Sequence, residues 1–205
     1  MEPEIIPPEV LLNAYAQGAF PMAEEGEIVW VSPKMRGIIP LDERFHVPYG
    51  LRKKLRKKSF EIRFDTAFRE VMLGCADRKS TWIDGVILES YCRLHELGYA
   101  HSVECWDGDG LQGGLYGVSL GKAFFGESMF SRKNDASKVA LIALVGRLRE
   151  SSFGLLDTQW MTGHLRRFGG IEVPRETYLG YLRELISARA REGAGFFVPK
   201  RQPGP

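Results

Sequence analysis

Residues 113–138, GGLYGVSLGKAFFGESMFSRKNDASK, constrain this chain more than any other stretch. Leu111 to Val118 alternates loosely, Ser119 to Gly121 supplies turn residues, and Ala123 to Met129 is apolar enough to be a strand covered on both faces. The stretch is therefore a hairpin arm. Its five glycines, Gly113, Gly114, Gly117, Gly121 and Gly126, are costly in strand interiors and commonest where a bulge forms or another backbone or ligand comes close. Behind it, Asp135 or Ser137 can cap a helix that carries Val139, Ala140, Ala143, Leu144 and Leu148. One carboxylate, Glu127, lies inside the second apolar run, where an unpaired charge is expensive. An arginine such as Arg132 is one partner it can find.

The flanking segments supply the layers. Glu9 to Gln17 reads as a short helix stopped by Gly18, and Phe20-Pro21-Met22 as an apolar loop that either plugs a small core or touches a ligand. Short strands follow at Ile28–Val31 and Gly37–Ile39. Phe60, Ile62 and Phe64 alternate with charged residues as a half-buried strand, and Asp65 is placed to cap a helix burying Phe68, Val71, Met72 and Cys75. A helix from Val86 to Leu97 ends at Gly98, His101 to Cys105 is a strand, and Asp107-Gly108-Asp109-Gly110 is a hairpin turn. After the central stretch come a buried strand Leu155–Gln159, a short helix at 163–168, a strand Ile171–Val173 and a helix Pro174–Arg191. This order predicts an α/β (α+β) fold with a mixed sheet flanked by helices. The organisation expected is a small N-terminal domain over residues 1–58, a larger domain over 59–192, and a flexible tail over 193–205.

Composition removes several function classes. The apolar share of 44% with 26% charged is that of a globular protein, and 205 residues are enough for an ample core. Met1 to Pro8 is acidic and proline-rich rather than basic and apolar, and no apolar run approaches a membrane span of ~18 residues, so a cytoplasmic protein with no membrane partner is expected. Cys75, Cys92 and Cys105 are odd in number and widely spaced, as suits buried thiols in a reducing compartment. They form no metal-ligand spacing with His46, His95, His101 or His164, so no metal is expected. Charge is uneven. Arg52, Lys53, Lys54, Arg56, Lys57 and Lys58 put six cations into seven residues, and without them 22 Lys+Arg face 26 Asp+Glu. Such a run is either a solvated helix face or a patch for a phosphate backbone.

Two side chains, Asp157 and Gln159, interrupt the apolar strand after the helix. Strand alternation points both to one face, either as a working pair or as buried groups satisfied by backbone amides.

GGLYG, FFGESMFSR and ASK, with Leu156-Asp157-Thr158-Gln159 downstream and Ala19-Phe20-Pro21-Met22 and Trp30-Val31-Ser32-Pro33 upstream, resemble the leucyl/phenylalanyl-tRNA-protein transferases. Thr81-Trp82-Ile83 and Ala100-His101-Ser102-Val103-Glu104 fit the same pattern in order, and the likeness runs from about Ala14 to Leu182. It implies an acyl-CoA N-acyltransferase-like domain from Phe60 onward. It also implies an aminoacyltransferase that moves leucine or phenylalanine, with methionine a third candidate, from aminoacyl-tRNA to the α-amine of proteins beginning with Arg or Lys, marking them for degradation by the N-end rule. No cofactor is implied, because the ester is already activated, and a monomer is expected.

The resemblance assigns Asp157, Gln159 and Glu127 to catalysis and Leu115, Phe124 and Met129 to the pocket for the aminoacyl side chain. It places Trp82 on the terminal adenosine, and the basic run Arg52, Lys53, Lys54, Arg56, Lys57 and Lys58 fits the acceptor-stem backbone. Composition alone makes the three pocket residues core. Val31 stands where the family usually has the second Trp of Trp-Trp-Ser-Pro, Thr158 where it often has Cys, on the face opposite the pair, and Asp135 where Asn is common. Two other functions remain. A CoA-dependent N-acetyltransferase would share the fold, but 131–135 lacks the glycines of a pyrophosphate cradle. A non-catalytic RNA-binding module would bind tRNA without any transfer.

Overall fold

The computed structural model describes residues 4–189. The expected tail, 193–205, lies outside them. Helix α1 (Pro8–Ala16) leads into a two-stranded antiparallel sheet of β1 (Phe20–Glu24) and β2 (Glu27–Val31). Residues 20–22 are therefore strand rather than loop. Pro21 lacks an N–H, which a strand tolerates when it has a neighbour on one side only.

The large sheet has seven strands. Its members in chain order are β3 (Met35–Ile39), β4 (Glu61–Phe64), β5 (Ala100–Asp107), β6 (Gly110–Leu120), β7 (Ala123–Ser131), β8 (Leu155–Asp157) and β9 (Ile171–Pro174). Their spatial order is β4-β5-β6-β7-β8-β3-β9, antiparallel throughout except for the parallel pair β7–β8. β3 thus joins the sheet built by strands after residue 59, and only the segment before it forms a sheet of its own.

Six further helices complete the chain: α2 (Tyr49–Arg56), α3 (Phe68–Ala76), α4 (Gly85–Glu96), α5 (Ala136–Glu150), α6 (Gly163–Arg166) and α7 (Arg175–Arg189). They cover both faces of the large sheet, which makes it the mixed, helix-flanked layer that the sequence predicts. On one face Leu11 and Tyr15 of α1, Val71 and Met72 of α3, Ile87 and Tyr91 of α4 and Tyr178 of α7 pack against Tyr116, Phe125 and Leu155. On the other, α5 packs Ala140, Leu141 and Leu144 against Val103, Leu115, Phe124 and Leu156, with Leu51 of α2 alongside. Successive residues of β7 and β8 go to opposite clusters, as the pleat requires.

The glycines of the central arm serve close approach by the protein itself. At Gly117, beside a bulge in β6, a Cβ would stand 2.2 Å from the Phe125 carbonyl oxygen, so only glycine fits there.

Two expected caps are corrected. Asp65, at φ +57°, does not cap α3; its carboxylate accepts the Ser102 N–H at 2.8 Å and meets His101 Nδ1 at 2.9 Å. The start of α3 is served by buried Glu104, which accepts from the Thr66 N–H at 3.2 Å and the Ala67 N–H at 3.3 Å. Asp135 does occupy the N-cap position of α5, but its carboxylate goes to Lys138 at 2.5 Å, and Ser131 Oγ accepts the Ser137 N–H at 2.9 Å. Asp65 stands two residues before the N-cap Ala67, and Asp135, though at the N-cap, has φ +68°, which turns its short carboxylate away from the helix start.

Candidate active site

β7 and β8 stay paired only over Ala123–Phe125 and Leu155–Asp157. Beyond that, β7 continues to Ser131, while the other chain swings toward β3: the Thr158 N–H donates to Gly37 O and the Gly37 N–H to Gln159 O, each at 2.9 Å. The chain passes so close that a Cβ on Gly37 would lie 2.8 Å from the Met161 nitrogen. The two parallel strands therefore part at their carboxyl ends, where open α/β sheets hold ligands.

The gap holds a cavity of about 340 Å³. Buried Leu115, Leu141, Leu144 and Leu156 form its inner wall with half-buried Met129, and Trp82 and the half-exposed Trp160 stand at its mouth. Its size and apolar walls with a few polar groups match a small-molecule site. Glu127, Gln159, Thr158 and Arg78, with Ser128, Thr162 and His164, supply the polar groups.

Asp157 and Gln159 are not a same-face pair. β8 ends at Asp157 and Gln159 has φ +54°, so strand alternation does not reach it. The carboxylate of Asp157 lies beneath the site, fully buried and outside the cavity lining. It accepts from Arg36 Nε at 2.9 Å and Nη2 at 2.7 Å, from the Tyr178 hydroxyl at 2.6 Å and from the Gln159 main-chain N–H at 2.8 Å. Arg36 is 1% exposed and also donates to Gly18 O at 2.8 Å. Burial, then the charge of Asp157, pushes the Tyr178 hydroxyl above its ordinary range, so it stays a donor. This network fixes Gln159 in its left-handed conformation.

The Gln159 side chain turns the other way, and its Nε2 donates to Glu127 Oε1 at 2.8 Å. That bond stands in place of the expected one from Arg132, and the Tyr15 and Tyr91 hydroxyls also lie near the carboxyl; Arg132 donates to Leu111 O at 3.0 Å and lies over the Phe130 ring. Glu127 Oε2 is buried with no hydrogen-bond partner among the described residues. Burial pushes the Glu127 carboxyl up to about 8; Asp157 adds to the shift, and Tyr15, Arg36 and Gln159 oppose it. An acid of this kind is mostly protonated at neutral pH and gains or loses its proton close to it. Tyr15 and Tyr91, whose hydroxyls contact one another, lie on the same face of the sheet and are held protonated by burial.

Of the residues expected in the site, Glu127, Gln159, Leu115, Met129 and Trp82 come together around the cavity. Phe124 does not line it; it is 0% exposed, in the apolar cluster behind Leu115. Thr158, expected on the opposite face, lines the cavity with a buried Oγ1. Val31 pairs with Phe20 in the β1–β2 hairpin, and Trp160 packs edge-on against that phenylalanine at 5.1 Å, placing a second indole at the mouth. In the basic run, Arg52, Lys53, Arg56, Lys57 and Lys58 are exposed on and after α2, outside the cavity lining. The Lys54 side chain lies outside the described residues.

Sequence reading missed Arg36, Tyr178 and Trp160. A lone arginine before Gly37-Ile38-Ile39 is as costly in a buried strand as Glu127, and the same argument applied to it would have flagged it.

Two family models match, described as Leucyl/phenylalanyl-tRNA protein transferase N-terminal domain over residues 5–34 and Leucyl/phenylalanyl-tRNA protein transferase over residues 38–183. The Leucyl/phenylalanyl-tRNA–protein transferase of Akkermansia muciniphila is 59% identical over 184 residues, spanning 87% of this chain and 95% of that protein. The one from Herpetosiphon aurantiacus is 54% identical over 183 residues, 89% and 96% of the two chains. Among solved structures, L-PGS from Bacillus licheniformis superposes with a TM-score of 0.48 at 11% identity over 75% of this chain and 65% of that one.

Proposed function

Since the chain belongs to the leucyl/phenylalanyl-tRNA protein transferase family, we propose that it moves a leucyl or phenylalanyl group from the 3′ ester of tRNA to the α-amine of a protein beginning with Arg or Lys, as a cytoplasmic monomer marking that protein for degradation by the N-end rule. The observation that carries this reading is the parting of β7 and β8, with an apolar cavity between them and an unpartnered carboxyl oxygen of Glu127 beside the Gln159 amide.

The chemistry asks little of the protein. The amine nitrogen attacks the ester carbonyl, the bond to the ribose 3′ oxygen breaks, and the proton lost by nitrogen is restored to that oxygen. Holding two partners in attack geometry is worth up to about 7–11 kcal/mol in the best intramolecular cases. An α-amine has an ordinary pKa of about 7.7–8.0. Glu127, pushed up to about 8 by burial, lies in the same range, so its ionised fraction can take the amine's proton at small cost and return it to the leaving ribose oxygen.

The charge of Asp157 is matched by Arg36 and turned from the cavity, so Asp157 acts as a positioning residue through the Gln159 backbone. Leu115, Met129, Leu141, Leu144 and Leu156 take the leucyl or phenylalanyl side chain, with pliable Met129 adapting to either shape. Trp82 and Trp160 offer flat faces to the terminal adenine, where each stacking contact is worth about 1–3 kcal/mol.

The test supplies leucyl-tRNA and peptides starting with Arg, Lys or Ala. Leucylation of the Arg and Lys peptides alone is expected. Transfer from acetyl-CoA instead, or tRNA binding with no transfer to any peptide, would overturn the proposal.

A further inference from the structure

A second cavity, of about 280 Å³, adjoins the first, and His164 lines both. Separate parts of the chain converge on it: Pro48 and Gly50 where α2 begins, Asp135 and Lys138 where α5 begins, His164 within α6, and Arg167 just after it. Lys138 and Arg167 are cations and Asp135 is the one acid lining it. Lys138 meets Asp135 at 2.5 Å in a partly exposed pair of the weakly held kind, whereas exposed Arg167 has no ion-pair partner among the described residues. Burial, then Lys138 and Arg167, pushes His164 below its ordinary value. The cavity therefore has net positive charge and a neutral imidazole able to donate one N–H. None of these side chains is used by the transfer chemistry.

On the aminoacyl-tRNA reading above, we propose that this cavity is a phosphate subsite. It takes the backbone phosphate that precedes the terminal nucleoside, held by Lys138, Arg167 and His164, and hands the RNA on to α2. Three observations carry the assignment. His164 is a wall the two cavities share, so an RNA whose aminoacyl group fills the first and whose last nucleoside lies at its mouth has its next charged group beside the second. It opens at the start of the helix whose Arg52 and Lys53 are exposed and begin the chain's basic run, in a protein otherwise slightly acidic. An arginine fork with a lysine suits a phosphate, which offers two or more acceptor oxygens in one group. Phosphate contacts of this kind set register rather than read sequence, and the register set here delivers the 3′ ester to Glu127 and Gln159.

The test compares two donors in the full-length protein: leucyl-tRNA, and 3′-O-leucyl-adenosine, which has no phosphate. Lys138→Gln, Arg167→Gln and the double variant are assayed with an Arg-initiated peptide, with thermal midpoints as a folding control. The double variant should raise KM for leucyl-tRNA about tenfold or more and lower the salt slope of tRNA binding by about one for the phosphate lost, with kcat/KM for leucyl-adenosine unchanged. Equal losses on both donors would place these cations in the transfer site or the fold and overturn the proposal. So would undiminished use of leucyl-tRNA by the double variant while the parent is active. A parent inert with both donors would instead refute the transferase reading, and this subsite with it.

Discussion

Two carboxylates lie at the parting of β7 and β8, and they are opposites. Asp157 accepts hydrogen bonds from Arg36, Tyr178 and the Gln159 backbone and has its charge matched. Glu127 has one well-formed bond, from Gln159, with the Tyr15 and Tyr91 hydroxyls nearby, and an oxygen with no well-placed partner among the described residues. Burial alone does not separate a structural acid from a reactive one; the number of donors aimed at it does. A fully solvated-by-protein carboxylate holds its surroundings in place. An under-supplied one waits for a proton or a ligand, and its raised pKa is the electrostatic expression of that shortage.

The contrast breaks most sharply on activity. Glu127→Gln keeps shape and the bonding capacity of one oxygen, and transfer should fall about 100- to 10,000-fold, the usual worth of a positioned acid or base. Single-turnover rates with leucyl-tRNA check this, and a loss under tenfold would move the proton elsewhere. On the structural side, Arg36→Met strands the Asp157 charge, and breaking such a buried pair costs about 3–5 kcal/mol, read by urea unfolding. Tyr178→Phe removes one bond to the same carboxylate and should cost about 1.5–3 kcal/mol, with activity reduced only as far as Gln159 loosens.

The pH dependence is the most diagnostic. Glu127 has a folded-state pKa of about 8 against an ordinary 4.5, so between those values the folded state holds a proton that the unfolded chain has released. Its contribution to stability therefore declines as pH rises through that window. Thermal midpoints of Glu127→Gln should gain on the parent progressively from pH 5 to 8. A gap between the two that does not change with pH would mean that the carboxyl titrates normally.

Much of this was legible from residues in order. The strong periods gave the hairpin arm, α3, α4 and α5 to within a few positions, and an acid inside an apolar strand marked Glu127 as needing a reason to be there. Local rules failed where the backbone left the allowed regions that they assume. A helix start two residues beyond Asp65 and a positive φ at Asp135 turned expected caps into other contacts, and positive φ at Gln159 sent its side chain to Glu127 instead of beside Asp157.

By itself, then, the sequence determined the strand and helix periods, the concentration of charge on one short helix and the identity of the polar groups available for chemistry, because these depend on neighbours a few residues apart. Tertiary structure alone decided which acid is satisfied. Arg36 and Asp157 are 121 positions apart, and nothing local to either predicts that they meet. The cavity is likewise a product of assembly, since it exists because two parallel strands of unequal length stop pairing at one place. A gap between strands is a property of the sheet and is written in neither strand.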